Sequence, residues 1–243
     1  MSTMSAASPE TEPRWNASLR ILSVNVGRGR SVARSGKPAK TGIHKLPVEE
    51  YVKVSTGGLV GDEIHDTKNH GGVDQAVYVF GAPDYEWWST ELDRELPPGI
   101  FGENLTISGL ESARANIGDR LRIGSTILEV TAPRIPCVTL ATRMEDPAFL
   151  KRFRKAERPG LYCRVIQEGE VRSGDSVEYE PYRATTISST EMFQDFFEPK
   201  LDERTLRRHL ASPIAIRFRV QKARQLEDAL RRLPARPFEN VTS

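Results

Sequence analysis

Short apolar runs, separated by turns that contain Gly or Asp, recur along most of this chain and limit its fold more than any other feature. The runs are LRILSVNVGRG, HKLPVEEYVKVS, QAVYVFG, NLTISG, DRLRIGSTILEVTAP, LYCRVIQEGEV and DSVEYEPY. In IGDRLRIG and VRSGDSVEYE a Gly-Asp pair precedes an alternating run, as in tight turns that feed strands. The pattern predicts a mainly β, barrel-like domain over residues 19–183, with a few helices, including APDYEWWSTELDREL and DPAFLKRFRKA.

The two ends of the chain depart from this strand pattern. Residues 1–18 are rich in Ser, Ala, Pro and Glu and have no apolar period, so we expect a disordered tail there. Residues 184–243 contain three helix-length segments, SSTEMFQDFFEP, DERTLRRHLAS and PIAIRFRVQKARQLEDALRRL, which predict a small three-helix domain. The candidate capping residues of these helices are Ser189, Asp202 and Ser212, the last followed by Pro213.

Composition and charge argue against several classes of protein. Lys and Arg total 35 against 33 for Asp and Glu, so the formal net charge of +2 provides no overall field for holding nucleic acid. No apolar run approaches the roughly 18 residues that would span a membrane. Two cysteines make no disulfide framework, and no signal peptide is apparent. We therefore expect a cytoplasmic protein with reduced thiols that binds neither nucleic acid nor membrane.

A polar segment between two predicted strands, GLVGDEIHDTKNHGGVDQAVYVF, is the first candidate for a binding site. His65 and His70 invite a metal-site interpretation, but their spacing and the helix-breaking Asn and Gly residues disfavour a zinc site. A ligand loop fits better, because two glycines let the backbone approach a ligand while polar side chains point into the same space. Its candidate residues are His70, Gly71, Gly72, Asp74 and Gln75. An ordinary hairpin with solvated polar residues is the alternative.

Two further segments place polar or reactive side chains where predicted strands begin or end. In FGENLTISG, Glu103 and Asn104 present an acceptor and an amide at a strand entrance, or simply satisfy a turn. In PRIPC, two prolines end the strand before Cys137, and Arg134 is near enough to favour a thiolate or bind an anion. A thiolate is a nucleophile and a metal ligand, and simple packing is the alternative. Cys163 alternates within a predicted strand and is interpreted as core.

The order of these motifs resembles that of the MOSC domain, the module named after the C-terminal part of molybdenum-cofactor sulfurases. The resemblance covers residues 19–183 and joins TGIHKLPV, GLVGDEIHD, HGGVDQAVYVF, FGENLTISGL, IGDRLRIG, LEVTAPRIPC, GLYCRVIQEGEV and GDSVEYE in order. The helical remainder resembles the 3-alpha domain of a bacterial MOSC subgroup linked to resistance against N-hydroxylated bases such as 6-hydroxylaminopurine.

The resemblance implies a molybdenum-cofactor enzyme that reduces N-hydroxylated compounds, amidoximes among them, to the parent amine or base. It implies that Cys137 is the metal ligand and a catalytic residue, with His70, the first choice of proton donor, and Asp74 as further catalytic residues. It further implies cofactor contacts from Thr41, Lys45, Gly71, Gly72, Gln75, Glu103, Asn104 and Arg134. Lys37 and Lys40 are alternatives for holding the cofactor's phosphate. Electrons are expected from a separate electron-transfer protein, and the subgroup is consistent with a homodimer.

Two other functions use the same residues. In the first, Cys137 carries a persulfide as part of a sulfur-transfer protein. Against it, this chain has no pyridoxal-phosphate sulfurase domain and no second cysteine placed to resolve a persulfide. In the second, the same pocket carries the molybdenum cofactor without turnover.

Overall fold

The computed structural model describes residues 18–34, 37–65 and 71–232. Its β-strands are β1 (Leu19–Gly27), β2 (Arg30–Arg34), β3 (Lys37–Thr41), β4 (Lys45–Val48), β5 (Val52–Ser55), β6 (Gly58–Leu59), β7 (Val77–Gly81), β8 (Leu105–Ile107), β9 (Arg120–Ile123), β10 (Thr126–Pro133), β11 (Leu161–Gln167), β12 (Gly169–Val171) and β13 (Ser176–Glu180). Its α-helices are α1 (Ala82–Leu92), α2 (Val138–Arg143), α3 (Phe149–Ala156), α4 (Ser189–Phe197), α5 (Glu203–Ala211) and α6 (Ile216–Arg232). Short 3-10 turns cover Val73–Gln75 and Ser112–Arg114. The tail expected at residues 1–18 lies outside the described residues apart from Ser18, and so does His70.

Seven strands close into a barrel. They follow the order β13, β9, β10, β11, β7, β8, β1, and β1 pairs back onto β13 with Leu19 opposite Val177. The pairs are antiparallel except for β7 and β8, which run parallel. The mainly β, barrel-like fold with a few helices is thus confirmed. The alternating runs that follow the two Gly-Asp pairs form β9 and β13, which lie side by side in the ring.

Aromatic side chains fill the core between α1, α3 and the turn that leads into β8. Phe80 and Phe101 stack with their ring centroids 4.3 Å apart, and Trp88 stacks on Phe153 at 5.7 Å. All four side chains are fully buried, and truncating one of them to Ala typically costs about 3–5 kcal/mol. Phe101 belongs to the same turn as Asn104, so this packing holds the turn that carries the predicted polar pair.

The C-terminal segments form helices as predicted, although two of the three capping residues differ. Asp202 caps α5 as expected, because its Oδ1 accepts from Thr205 N–H at 2.9 Å. The cap of α4 is Ser188, so the prediction of Ser189 was wrong. Ser188 has the extended backbone (φ −74°, ψ 159°) that lets its Oγ accept from Glu191 N–H at 3.0 Å. Ser189 is already the first helical residue.

The last helix, α6, begins at Ile216 and not at the predicted residues 212–213. Its first N–H group is satisfied from a distant part of the chain, since Ile216 N–H donates to Asp74 Oδ2 at 2.6 Å. Just before the helix, Ala215 N–H donates to the carbonyl oxygen of Thr131 in β10 at 3.1 Å. The start of α6 is therefore fastened to the barrel. Within the described ranges, no helix has the length and apolar character needed to cross a bilayer.

Candidate functional site

Most of the segments predicted to form a site line one open cleft. It encloses about 750 Å³, open mouth included, and lies where the β3–β4 connection, the turn at Val73–Gln75, β7 and the chain leaving β10 come together. The predicted residues that line it are Thr41, Lys45, Gly71, Gln75, Asn104, Arg134 and Cys137.

Cys137 lies at the exit of β10, on the cleft. β10 ends at Pro133, and Cys137 takes the N-cap position of α2 with an extended backbone (φ −125°, ψ 164°). Its side chain is half-buried and lines the cleft. Cys163 in β11 is fully buried, and burial raises the pKa of its thiol. Only Cys137 of the two therefore presents its sulfur to a ligand.

Arg134 is a buried cation that lines the same cleft. The residue is only 4% exposed, and its guanidinium carbon lies 5.2 Å from the centroid of the Tyr78 ring. Burial acts to lower its pKa, but Tyr162, Tyr78 and Cys137 raise the pKa by more, so the side chain stays charged. Its Nη1 has no hydrogen-bond partner among the described residues.

Gln75 supplies a second unpaired donor to the cleft. It ends the 3-10 turn, is 3% exposed, and its Nε2 has no hydrogen-bond partner in the described part of the chain. A buried donor without an acceptor costs about 1–3 kcal/mol, so two of them beside one cleft indicate acceptors that a ligand or water supplies. Because Arg134 adds positive charge, a ligand with anionic oxygen or sulfur atoms fits best.

Lys45 is held in the cleft wall by an ion pair with Asp62. Asp62 also accepts from Asn104 Nδ2 at 2.9 Å and from Gly27 N–H at 2.8 Å. Burial lowers the pKa of Lys45, and the attraction of Asp62 offsets part of that effect. The charge of Lys45 is thus largely balanced inside the wall. The hydroxyl oxygen of Thr41 is also engaged, because it accepts a backbone N–H at 3.2 Å.

Two predicted cofactor-binding residues, Glu103 and Gly72, do not line the cleft. Glu103 is fully buried, and its Oε1 accepts from the Tyr85 hydroxyl at 2.5 Å and from Gly99 N–H at 2.6 Å. Burial raises the pKa of this carboxyl group. Glu103 therefore holds together the turn before β8, and its side chain is not part of the cleft lining.

Asp74, predicted to be catalytic, turns away from the cleft toward the C-terminal helices. Its Oδ2 accepts from Ile216 N–H at 2.6 Å, and its Oδ1 lies 3.2 Å from Arg164 Nε. Both carboxylate oxygens are engaged in fastening α6 to the barrel. The structure therefore does not bring Asp74 together with Cys137, because neighbouring side chains in the 3-10 turn point in different directions.

Several residues that line the cleft were not among the predicted site residues, and three of them bring a phenol or imidazole ring. Tyr78 in β7 and Tyr162 in β11 are cross-strand partners, with ring centroids 5.1 Å apart, and both line the cleft. Burial raises the pKa of both phenols, so they stay protonated. His65 also lines the cleft, with its Nε2 3.0 Å from Glu63 Oε2. The tyrosines were missed because alternation in one strand does not show which strand pairs with it.

Comparisons with known proteins place this architecture in a family. The family model for the MOSC domain matches residues 66–178. The uncharacterized protein YflK of Bacillus subtilis is 37% identical over 158 residues, which cover 65% of this chain and 72% of YflK. This chain belongs to the MOSC domain family. A protein named reductase from Gibberella moniliformis is 33% identical to this MOSC protein over 161 residues, 65% of this chain but 28% of that protein. The crystal structure of YiiM from Geobacillus stearothermophilus shares the fold, with a TM-score of 0.70, 23% identity and coverage of 86% of this chain and 99% of that chain.

The MOSC family is associated with the molybdenum cofactor, and the cleft offers groups that fit it. In residues 18–34, 37–65 and 71–232, no three His, Cys, Asp or Glu side chains converge as a metal site. The unpaired donors of Arg134 and Gln75 suit the anionic part of the cofactor. At Gly102 (φ +79°), a Cβ would lie 2.8 Å from Ile43, so only glycine fits this part of the cleft lining.

Proposed function

We propose that this MOSC protein is a molybdenum-cofactor-dependent reductase of N-hydroxylated compounds such as 6-hydroxylaminopurine and amidoximes. The observation that carries the proposal is the half-buried thiol of Cys137, which shares its cleft with the buried cation Arg134 and the unpaired donor of Gln75. The relative named reductase supports the reaction type, and the family supports the cofactor.

In this proposal the chain binds the cofactor through three side chains. The thiolate of Cys137 holds the metal, and the N–H groups of Arg134 and Gln75 hold the anionic atoms of the organic part. The charge of Arg134 acts on Cys137 and so balances the negative charge that a bound thiolate brings into the cleft. When bound, the cofactor supplies a centre that exchanges two electrons and one oxygen atom per turnover.

The chain also has to orient the substrate and supply protons. The reaction consumes two electrons and two protons, breaks the N–O bond, and releases the amine and water. The rings of Tyr78 and Tyr162 line the cleft and suit a flat base or amidoxime. The Tyr162 hydroxyl is hydrogen-bonded to Arg134 and stays protonated, which places a donor beside the proposed cofactor contact. The assignment of His70 as proton donor stays a prediction, since that residue lies outside the described chain.

The first experiment measures molybdenum in protein purified from a host that makes the cofactor. We expect close to one molybdenum per chain in the wild type and almost none in Cys137→Ser. Cys163→Ala is the matched control, because this second thiol is buried away from the cleft, and it should keep its metal. Equal molybdenum content in the two variants would overturn the assignment of Cys137.

The second experiment tests turnover. Wild-type holoprotein that is reduced chemically should convert 6-hydroxylaminopurine or benzamidoxime to the parent base or amidine, as followed by chromatography. Metal-loaded protein that converts none of the N-hydroxylated compounds supports a cofactor carrier and contradicts the reductase. A persulfide on Cys137, detected by mass spectrometry in protein without molybdenum, supports the sulfur-transfer alternative.

A further inference from the structure

The segment between β1 and the end of β4 carries an unusual charge distribution. Residues 28–48 contain six lysines and arginines and no Asp or Glu, in a chain whose formal net charge is only +2. One of the six, Lys45, is neutralised by Asp62 in the cleft wall. The rest of the segment therefore concentrates positive charge that the whole-chain balance conceals.

In the structure this segment forms a hairpin at the cleft. β2 and β3 pair with each other, Arg30 opposite Thr41, and form a two-stranded sheet separate from the barrel. The hairpin joins the cleft at its C-terminal end, where Lys40 and Thr41 are lining residues. We use the term basic rim for Arg28, Arg30, Lys40 and Arg143. Arg28, Arg30 and Lys40 are exposed.

The charges of the basic rim lack the carboxylate partners that several other arginines in the described part of the chain have. Among the described residues, none of the four forms an ion pair, whereas Arg120 pairs with Glu129 at 2.8 Å and Arg158 with Asp84 at 2.7 Å. The acidic residue of the nearby cleft lining, Glu63, is already engaged, because it accepts from Gly29 N–H at 3.1 Å and contacts His65. Positive charge on the rim is thus available to an external partner.

Arg143 connects the rim to the wall that carries Cys137. It lies in the last turn of α2, the helix that begins directly after Cys137. Its Nε donates to the carbonyl oxygen of Ile100 at 2.7 Å, and its Nη1 donates to His44 Nδ1 at 2.5 Å. Burial, Arg143 and Arg30 all lower the pKa of His44, so this histidine lies within the electrostatic reach of both arginines. Arg143 therefore links the rim to the helix that follows the thiol.

We propose that the basic rim is the docking surface for an acidic electron-transfer protein. This inference rests on the proposed function, because the reduction consumes two electrons that a second protein delivers. Docking on the rim places the redox group of that protein beside the cleft mouth, next to the segment that carries Cys137. Exposed charges of one sign steer such transient encounters and accelerate association.

Two observations favour a protein over a nucleic acid as the partner. The four charges of the rim lie together on the hairpin and the end of α2, while arginines on β9 and around α1 are paired with carboxylates. A nucleic acid requires a longer basic stripe to follow its phosphates. Transient redox complexes, in contrast, use small and charged contact areas.

The test uses full-length holoprotein and a defined donor, a reduced carboxylate-rich [2Fe–2S] ferredoxin. The variant is Arg28→Glu with Arg30→Glu, and the matched control is Arg224→Glu with Arg231→Glu, two exposed positions on α6. At low salt we expect the variant to accept electrons about tenfold more slowly than the wild type, with a flattened salt dependence. The control should behave as the wild type does, and turnover with reduced methyl viologen should be the same in all three proteins.

Binding of oxidised ferredoxin, measured by titration, separates this inference from the proposed function. If methyl viologen supports no turnover at all, the reductase fails, yet a ferredoxin affinity that depends on Arg28 and Arg30 still supports the docking surface. Equal ferredoxin affinities and rates in the variant and the control would overturn the inference. So would an oligonucleotide that binds through these two arginines while ferredoxin does not bind.

Discussion

The wall of the cleft and the junction between the barrel and α6 use similar side chains in opposite ways. In the wall, Arg134 and Gln75 are buried with N–H groups that have no partner in the described chain. At the junction, Asp74 accepts from Ile216 N–H, and Arg164 Nη2 donates to a carbonyl oxygen ahead of α6 at 3.0 Å. The Nε of Arg164 makes no hydrogen bond among the described residues, but it lies 3.2 Å from the Asp74 carboxylate in an ion pair. Positions 74 and 75 are adjacent, yet one completes a structural contact and the other faces the cleft.

Under the proposed function, this difference separates residues that hold the fold from residues that bind the ligand. A polar cluster whose members satisfy one another contributes to stability, and its loss should be visible in unfolding experiments. A cluster with unpaired donors costs free energy in the empty protein and regains it when an acceptor binds. Substitutions in the wall should therefore change ligand retention, and those at the junction should change stability.

The largest effect is expected from Arg134→Met compared with Arg164→Met. Removing the Arg134 cation takes away charge-assisted bonds to the proposed cofactor, so binding should weaken by about 3 kcal/mol. Molybdenum should then be lost on dialysis, while the free energy of unfolding of the empty protein changes little. Arg164→Met should do the reverse, with retained metal and a lower midpoint in urea. Equal loss of metal from both variants would contradict the distinction between the cleft wall and the junction with α6.

A smaller effect is expected from Asp74→Ala, which removes the carboxylate from the start of α6. It leaves Ile216 N–H and Arg164 without that partner, so the free energy of unfolding should fall by about 2 kcal/mol. Asp74→Asn keeps an acceptor for the helix N-terminus and should recover part of this loss. Urea unfolding measures the stability, and metal content should be near the wild-type value in both variants. A catalytic role for Asp74 would instead appear as lost turnover at unchanged stability.

Gln75→Met should have a weaker effect of the same kind as Arg134→Met. The substitution keeps an unbranched side chain of similar length and removes one unpaired amide donor. Loss of one neutral hydrogen bond to a cofactor corresponds to about 1 kcal/mol, or roughly a fivefold faster loss of metal on dialysis. The unfolding midpoint of the empty protein should stay the same or rise slightly. A fall in stability without any change in metal retention would show that Gln75 stabilises the fold and does not bind the cofactor.

The smallest effect concerns pH and His209 in α5. The residue is fully buried, and burial lowers its pKa below 6.5, with Asp195 and Glu191 opposing the shift and Lys222 and Arg208 adding to it. The folded state therefore binds fewer protons than the unfolded state between the lowered pKa and 6.5. Stability rises with pH across that window and is lost on acidification, at less than about 1.4 kcal/mol per pH unit. Urea unfolding near pH 7.5 and near pH 5.5 should show that His209→Gln loses less stability than the wild type, and parallel losses would contradict this.

Features of the fold that depend on neighbours in sequence could be predicted. The Gly-Asp turns and the alternation after them are local, and they identified the strands β9 and β13. The predicted N-cap of α4 was wrong by one residue. Ser188 and Ser189 carry the same hydroxyl group, and only backbone geometry distinguishes them. The pairing of Leu19 with Val177 joins residues too far apart for any periodic pattern to indicate.

The features of the candidate site also divide into those that neighbouring residues indicate and those that depend on distant parts of the chain. Two prolines and a strand end pointed to the place of Cys137, and the paired glycines pointed to the neighbouring loop, since both signals are local restraints on the backbone. The direction of Asp74 could not be predicted, because its partner Ile216 lies 142 residues further along the chain. Tyr78 and Tyr162 look like ordinary strand residues until the register of β7 and β11 is known.

The pairing of Leu19 with Val177 also limits how this protein is made on the ribosome. Within the barrel, β1 is synthesised first, and its partner β13 is synthesised last. Contacts between such distant residues form slowly, and an unpaired strand edge readily pairs with other chains. During translation, the N-terminal end of β1 is therefore the segment of the nascent chain that most needs protection by a chaperone.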